Sequence, residues 1–296
     1  MSAAPETGSL EVGDDAGFDG AGAGVGAVVA LKAGEHVKSR LDPLPAPLRR
    51  RLAWTMAVDT LHALVRTVEA VRVVSDQPSL QHRLARAGLA AVEVVPEPSP
   101  GGMNDALRHG ADRLRADGLS RVLACVGDLP SLRPASVAHV LAAASASERA
   151  YVPDATGIGT TMLHAGAGVS LGPHFQGRSA AAHHTSGATA LTDARLGTAV
   201  PDARRDVDTE VDLADAAGLG LGDATRALLD PASGRLGAYA VVTTTGQDGA
   251  GGRAVTAAGV RVALPQSSLA DGLRSPRPGQ RLHAVLVGTT VLSAWI

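Results

Sequence analysis

Between Gly26 and His164 the sequence alternates short apolar runs with longer segments of helical spacing, and that alternation restricts the fold more than any other feature. Gly26–Leu31, Val71–Ser75, Val92–Pro96, Arg121–Val126, Ala150–Val152 and Thr160–His164 are too short for buried helices and predict strands. Between the first two, Leu48, Leu52, Met56, Leu61, Leu64 and Val68 recur mostly at helical spacing, with Pro45 and Pro47 near the start. Ser79–Ala87 predicts a helix ended by Gly88, Met103–Ala116 one ended by Gly118, and Pro134–Ala144 another. Such alternation argues for an α/β fold: a mostly parallel sheet with helices on both faces. Ligands of such sheets bind beyond the carboxyl ends of the strands. The loop Lys32–Arg40, Ser75 and Asp128 fall at that edge by construction.

The flanking segments read differently. Residues 1–24 hold little to bury and predict a disordered tail. Gly22-Ala23-Gly24 mimics a dinucleotide fingerprint but precedes the first strand instead of following it, which removes the structural context that motif needs. Residues 25–229 are assigned to the α/β domain. After Asp230-Pro231-Ala232-Ser233-Gly234 the texture changes. Gly237–Thr245, Ala254–Leu264 and Leu282–Leu292 are β-rich and separated by Gly- and Pro-containing turns, which predicts a small barrel over 235–296 of the oligonucleotide-binding or cold-shock type. Such barrels hold single strands on exposed aromatics. Only Tyr239 and Trp295 are available, and a net charge of -2 gives no basic footprint, so nucleic acid is not the expected partner. The lone Cys125 excludes an internal disulfide and a cysteine zinc cluster, and its apolar run predicts a buried structural thiol. No apolar stretch is long enough to cross a membrane and no signal peptide opens the chain, which predicts a soluble, cytoplasmic protein.

Chemistry concentrates in a few places. Asp128 follows the run Arg121–Val126, and Asp206 with Asp208 follows Ala199–Arg205, which reads as a further β-type run. Three carboxylates delivered to strand ends suit a hard divalent cation such as Mg²⁺, which takes one or two carboxylates and completes its shell with substrate phosphates. Lys32, Lys38 and Arg40 can hold a polyphosphate by point charge and bidentate fork. Gly101 and Gly102 let the backbone approach a ligand, and Asn104 opens a helix whose amides suit an anion or a base edge. Ser75 and Asn104 join Lys32 and Arg40 as expected nucleotide ligands. Thr156–Thr161 and Phe175–Ala180 combine glycines, hydroxyls and Arg178 into a small-anion receptor. His183 and His184 lack a partner at helical metal-ligand spacing and read as surface or capping residues.

Lys38-Ser39-Arg40-Leu41, Met103-Asn104-Asp105-Ala106-Leu107, Gly127-Asp128-Leu129-Pro130, Gly159-Thr160-Thr161, Phe175 with Ser179, Ser186-Gly187-Ala188 and Asp206-Val207-Asp208-Thr209 occur in this order. Together they resemble the phosphoenolpyruvate/2-phospho-L-lactate guanylyltransferases of coenzyme F-420 biosynthesis. The resemblance implies a GT-A-like nucleotidyltransferase fold, GTP as donor, Mg²⁺, and a three-carbon phosphorylated acid as acceptor. It places Asp128, Asp206 and Asp208 on the metal side as the catalytic carboxylates, and Lys38, Thr160 and Ser179 at the acceptor. The family's glycine after the Phe falls on Gln176, which joins the expected acceptor residues. Phosphoenolpyruvate is the expected acceptor, with 2-phospho-L-lactate left open. Other readings are a sugar-phosphate or molybdopterin nucleotidyltransferase and a non-catalytic nucleotide or RNA binder. The loop Lys32–Arg40 lacks the Gly-rich, Pro-Lys pattern of the former, and retention of all three carboxylates argues against the latter. The oligomeric state stays open.

Overall fold

The computed structural model describes residues 22, 24–31, 41, 46–98, 101–229, 238–248, 251–269, 273 and 275–296. Most of the expected tail and the whole Lys32–Arg40 loop, with Lys32, Lys38 and Arg40, therefore lie outside the described residues. The chain begins β1 (Val25–Ala30), α1 (Ala46–Val65), β2 (Ala70–Val74), α2 (Leu80–Arg86), β3 (Glu93–Val95) and α3 (Met103–Ala116). It continues through β4 (Arg121–Cys125), α4 (Pro134–Ala144), β5 (Arg149–Pro153), β6 (Thr160–Ala165), α5 (Ser179–Thr185) and β7 (Thr189–Ala190). The short helices α6 (Asp193–Leu196), α7 (Pro201–Arg204), α8 (Glu210–Leu219) and α9 (Asp223–Leu229) follow.

These strands form one sheet in the order β3-β2-β1-β4-β6-β5-β7. β3, β2, β1 and β4 run parallel, β6 runs against both β4 and β5, and β7 is parallel to β5. The expected mostly parallel, mixed sheet is the observed one. Its two faces are separately buried. Val29, Leu61, Leu64, Val73, Leu123 and Val140 pack on the α1/α4 face. Val28, Val74, Leu107, Leu114 and Leu163 pack on the α3 face. Each fully buried Leu or Val contributes about 1.5–3 kcal/mol. Gly110 lets α3 lie close on the sheet: a Cβ there would come within 2.3 Å of a Val28 methyl and 2.8 Å of a Val74 methyl.

α1 also carries the end of the chain. Asp59, buried on this helix, accepts the amides of Ala224 and Thr225 at 2.9 and 2.8 Å and so caps α9 from another element. Leu52 and Met56 pack with Val207, Leu213 and Leu228, and Val285 of the C-terminal segment joins the same cluster. That segment consists of β8 (Ala238–Asp248), β9 (Gly251–Thr256), β10 (Arg261–Leu264), β11 (Arg281–Val287) and β12 (Thr290–Trp295), closed into a barrel in the order β10-β12-β11-β8-β9. Two of the β-rich runs each hold a strand pair. Ala254–Leu264 turns at Gly259 (φ 79°) and Leu282–Leu292 at Gly288 (φ 59°), positions where the left-handed backbone favours glycine. Tyr239 is turned into the fold, with its hydroxyl 2.6 Å from His283 Nδ1. No helix among the described residues is long and apolar enough to cross a membrane.

Candidate active site

Asp128 leaves β4 on a segment pinned from three sides. The Leu129 amide donates to Thr60 Oγ1 at 3.0 Å, the Gly222 amide to the Pro130 carbonyl at 2.7 Å, and the Val207 amide to the Asp128 carbonyl at 3.1 Å. Cys125 is buried at the end of the same strand, and burial and then the neighbouring Asp128 push its thiol pKa up, which keeps it an inert core residue.

The second acidic pair arrives differently from expectation. Ala199–Arg205 is not a strand, because Pro201 takes the first position of the helical turn α7, where its missing N–H costs nothing. Buried Asp202 holds that turn in place, accepting the Arg133 amide at 3.0 Å and the Ser136 hydroxyl at 2.9 Å. Thr161 Oγ1 donates to the Ala203 carbonyl at 2.7 Å, tying α7 to β6. Beyond Asp208, Thr209 and Asp212 form a capping box at the start of α8.

Asp128, Asp206 and Asp208 line one cavity of about 1700 Å³. A site for one small ligand occupies roughly 300–1,000 Å³, so this space admits two substrates side by side. One bank is built from α1 and the segment after β2: Arg50, Arg51, Trp54, Gln77 and Arg83, with the Arg83 guanidinium 4.0 Å over the Trp54 ring. The other bank holds Gly159, Thr160 and Phe175–Ser179. Because β6 is antiparallel, its first residue, Thr160, stands at the carboxyl edge of β4. Asp128 follows the strand between β1 and β6 and therefore lies between the two banks.

Two further cavity carboxylates serve their own backbone. Asp154 accepts from Thr156 Oγ1 and the Ile158 amide, and Asp212 accepts from Thr209 and pairs with Arg205 at 3.0 Å. Among the described residues no three His, Cys, Asp or Glu side chains form a ready metal cage. Asp128, Asp206 and Asp208 nonetheless supply hard oxygen donors around one space. That suits an ion which shares its coordination with water and substrate phosphate.

The remaining expected residues divide. Thr160, Gln176 and Ser179 line the cavity. Gln176 holds φ 86°, a strained conformation for a residue with a Cβ, at the position where the resemblance expects glycine. Ser75 does not line the cavity: it is buried and its hydroxyl donates to the Leu31 carbonyl at 2.5 Å, bracing the end of β1. Asn104 is likewise absent from the lining. Its amide accepts from Phe175 N at 2.8 Å and donates to Phe175 O at 3.2 Å, so it clamps the loop that carries Gln176. His183, expected at the surface, is fully buried, whereas His184 is exposed. Arg50, Arg51, Trp54 and Arg83 were not expected. The available signal is the run Arg49-Arg50-Arg51 in the first turns of α1, where the helix dipole disfavours cations, and local rules are broken chiefly at functional sites.

The MobA-like NTP transferase domain matches residues 45–197. A protein of Salinispora arenicola called phosphoenolpyruvate guanylyltransferase is 44% identical over 211 residues, covering 70% of this chain and 94% of that protein. A Streptomyces coelicolor protein of the same name is 45% identical over 68% of this chain and 93% of its own length. A third, from Frankia casuarinae, is 38% identical over 80% of this chain and 86% of its own. The chain therefore belongs to the phosphoenolpyruvate guanylyltransferase family of MobA-like nucleotidyltransferases.

Proposed function

We propose that the protein transfers GMP from GTP to phosphoenolpyruvate with release of pyrophosphate, in the cytoplasm and as a step of coenzyme F-420 biosynthesis. The observation that carries the reading is one cavity of about 1700 Å³ lined together by three carboxylates, the arginines of α1 and α2 and the hydroxyls of Thr160 and Ser179. The names of the relatives favour phosphoenolpyruvate over 2-phospho-L-lactate and guanine over other bases.

A phosphate oxygen of the acceptor attacks the α-phosphorus of GTP. The bond from that phosphorus to the bridging oxygen breaks, and pyrophosphate leaves with the electron pair. A phosphate monoester loses its second proton near pH ~6, so the nucleophile is already anionic at neutral pH and needs no general base. The chain's residues align the reactants and balance charge. Arg50 and Arg51 face the triphosphate; of the cations outside the described residues, Lys32 and Arg40 are assigned to the same polyanion and Lys38 to the acceptor. Thr160 and Ser179 donate to the acceptor, and the Phe175–Ser179 loop closes its side of the cavity. Asp128, Asp206 and Asp208 would hold Mg²⁺, which when bound neutralises charge building on the transferring phosphoryl group.

The test is direct. Purified protein is incubated with GTP and Mg²⁺ and, in separate reactions, phosphoenolpyruvate, 2-phospho-L-lactate or a hexose phosphate. Pyrophosphate release that requires phosphoenolpyruvate, with a product whose mass equals GMP joined to the acceptor, supports the reading. Release only with the sugar phosphate, or with no acceptor dependence, contradicts it.

A further inference from the structure

His183 stands on α5 with no exposure, enclosed by Tyr151 and Phe175 at ring-centroid distances of 5.8 and 5.2 Å. Both of its nitrogens are engaged. The backbone N–H of His174 points at Nε2 across 2.9 Å, and Nδ1 lies 3.0 Å from Thr160 Oγ1. A backbone amide can only donate, so Nε2 must offer a lone pair. A neutral imidazole then carries its one proton on Nδ1 and donates it to Thr160. Burial above all, followed by His174 and Arg149, lowers the His183 pKa to about 4 against a smaller upward pull from a backbone hydrogen bond with Ser179, so the ring is neutral at physiological pH.

The consequence falls on Thr160. Its oxygen is already an acceptor from His183, so its own proton is left to point elsewhere. Thr160 lines the cavity beside Ser179, and among the described residues its hydroxyl has no other hydrogen-bond partner. We infer that His183 is a positioning residue: it fixes the Thr160 hydroxyl as a donor into the cavity and so sets this bank for an anionic, acceptor-only oxygen, carboxylate or phosphate, of the acceptor substrate. This rests on the acceptor binding at this bank, as in the proposed function. A ligand group that cannot accept a hydrogen bond would leave the Thr160 proton unpaired here, and buried unpaired donors discriminate strongly.

Two arms test it. The first needs no turnover: the imidazole nitrogens of ¹⁵N-labelled wild-type protein are read by NMR at pH 7. The expected pattern is a protonated Nδ1 and a bare Nε2 for His183. An Nε2–H tautomer or an imidazolium overturns the inference, even if the enzyme is active. The second arm uses amides that each keep one of the two contacts. His183→Asn places an amide nitrogen where Nδ1 was and can still donate to Thr160; His183→Gln reaches the His174 amide instead.

His183→Gln is expected to raise the acceptor KM about tenfold, the worth of one hydrogen bond. His183→Asn should stay within about threefold of wild type on the same scale. In a Thr160→Val background the His183→Gln effect should vanish. Equal penalties for the Asn and Gln variants, or a Gln penalty that persists once the Thr160 hydroxyl has been removed, would mean that His183 serves only packing. Competition by inorganic phosphate and by pyruvate, each in wild type and Thr160→Val, identifies the anionic group: the competitor whose hold weakens in the variant is the one Thr160 meets. Loss for neither overturns the inference. A wild-type protein that turns over no three-carbon acid refutes the proposed function, while the NMR arm still decides the His183–Thr160 relation.

Discussion

The amide of Val207 donates to the carbonyl oxygen of Asp128 at 3.1 Å, joining two segments far apart in the chain. Asp206 and Asp208 flank Val207, so both are held one residue from a point fixed to Asp128. Thr60 fixes the adjoining Leu129 amide, and Asp212 accepts the Asp208 amide at 3.3 Å. The backbone that carries the three carboxylates is thus held by hydrogen bonds to the buried Thr60 hydroxyl of α1, to Asp212 and between the two segments. That is the rigid support that charge stabilisation in a transition state needs.

Asn104 separates two roles by kinetics. Removing its amide in Asn104→Ala leaves the Phe175 amide and carbonyl without their side-chain partner. Loosening that loop should raise the acceptor KM by about tenfold, the equivalent of roughly 1.4 kcal/mol, with a smaller effect on the GTP KM. Steady-state kinetics with each substrate varied in turn checks this. A selective rise in the GTP KM would return Asn104 to the nucleotide.

Gln176 sits at φ 86°, followed by Gly177 at φ 57°. A side chain held there costs about 1–2 kcal/mol, partly offset in any glycine variant by a freer unfolded chain. Gln176→Gly should therefore stabilise the protein by about 0.5–1 kcal/mol in urea denaturation. Destabilisation would show that the Gln176 side chain supplies a contact worth more than the strain.

The folded protein should weaken in acid through two buried imidazoles. His164 and His183 each titrate at about 4, in both cases mainly because burial disfavours the charged ring. Their folded-state values lie below the unfolded value, so the unfolded chain binds protons first as pH falls. Stability is therefore full above pH ~6.5 and declines toward pH 4, by about 2 kcal/mol per histidine at pH 5. Neither His164 ring nitrogen has a hydrogen-bond partner among the described residues. His164→Leu should accordingly raise the urea midpoint at pH 7 and reduce its drop between pH ~7.5 and ~5. An unchanged drop would remove His164 from the acid response.

The α/β domain was legible because strand and helix periods differ, and Met103–Ala116 and Pro134–Ala144 keep their expected limits in the structure. The β-rich texture of the barrel was legible too, while the turns that divide two of its runs fall at Gly259 and Gly288, whose positive φ a pattern of apolar residues does not mark. Ala199–Arg205 misleads for a related reason, since one proline outweighs the valine before it. Ser75 and Asn104 carry the chemistry of ligands, yet each satisfies backbone groups of a segment far away in the chain, Leu31 and Phe175, a pairing that sequence spacing does not reveal. The burial of His183 depends on contacts between distant segments, of which local spacing holds no record, whereas the arginines of α1 left a local mark in the Arg49-Arg50-Arg51 run.

The most direct test of the account is whether Asp128, Asp206 and Asp208 act as one unit. Asp→Asn variants are made singly and in pairs, and kcat for pyrophosphate release is measured together with Mn²⁺ binding by electron paramagnetic resonance. The account predicts losses of at least about a hundredfold for the most sensitive single variant, pairs scarcely worse than that single, and weakened Mn²⁺ binding in step. Near wild-type turnover for Asp128→Asn, or losses that simply multiply in the pairs while Mn²⁺ binding holds, would contradict it.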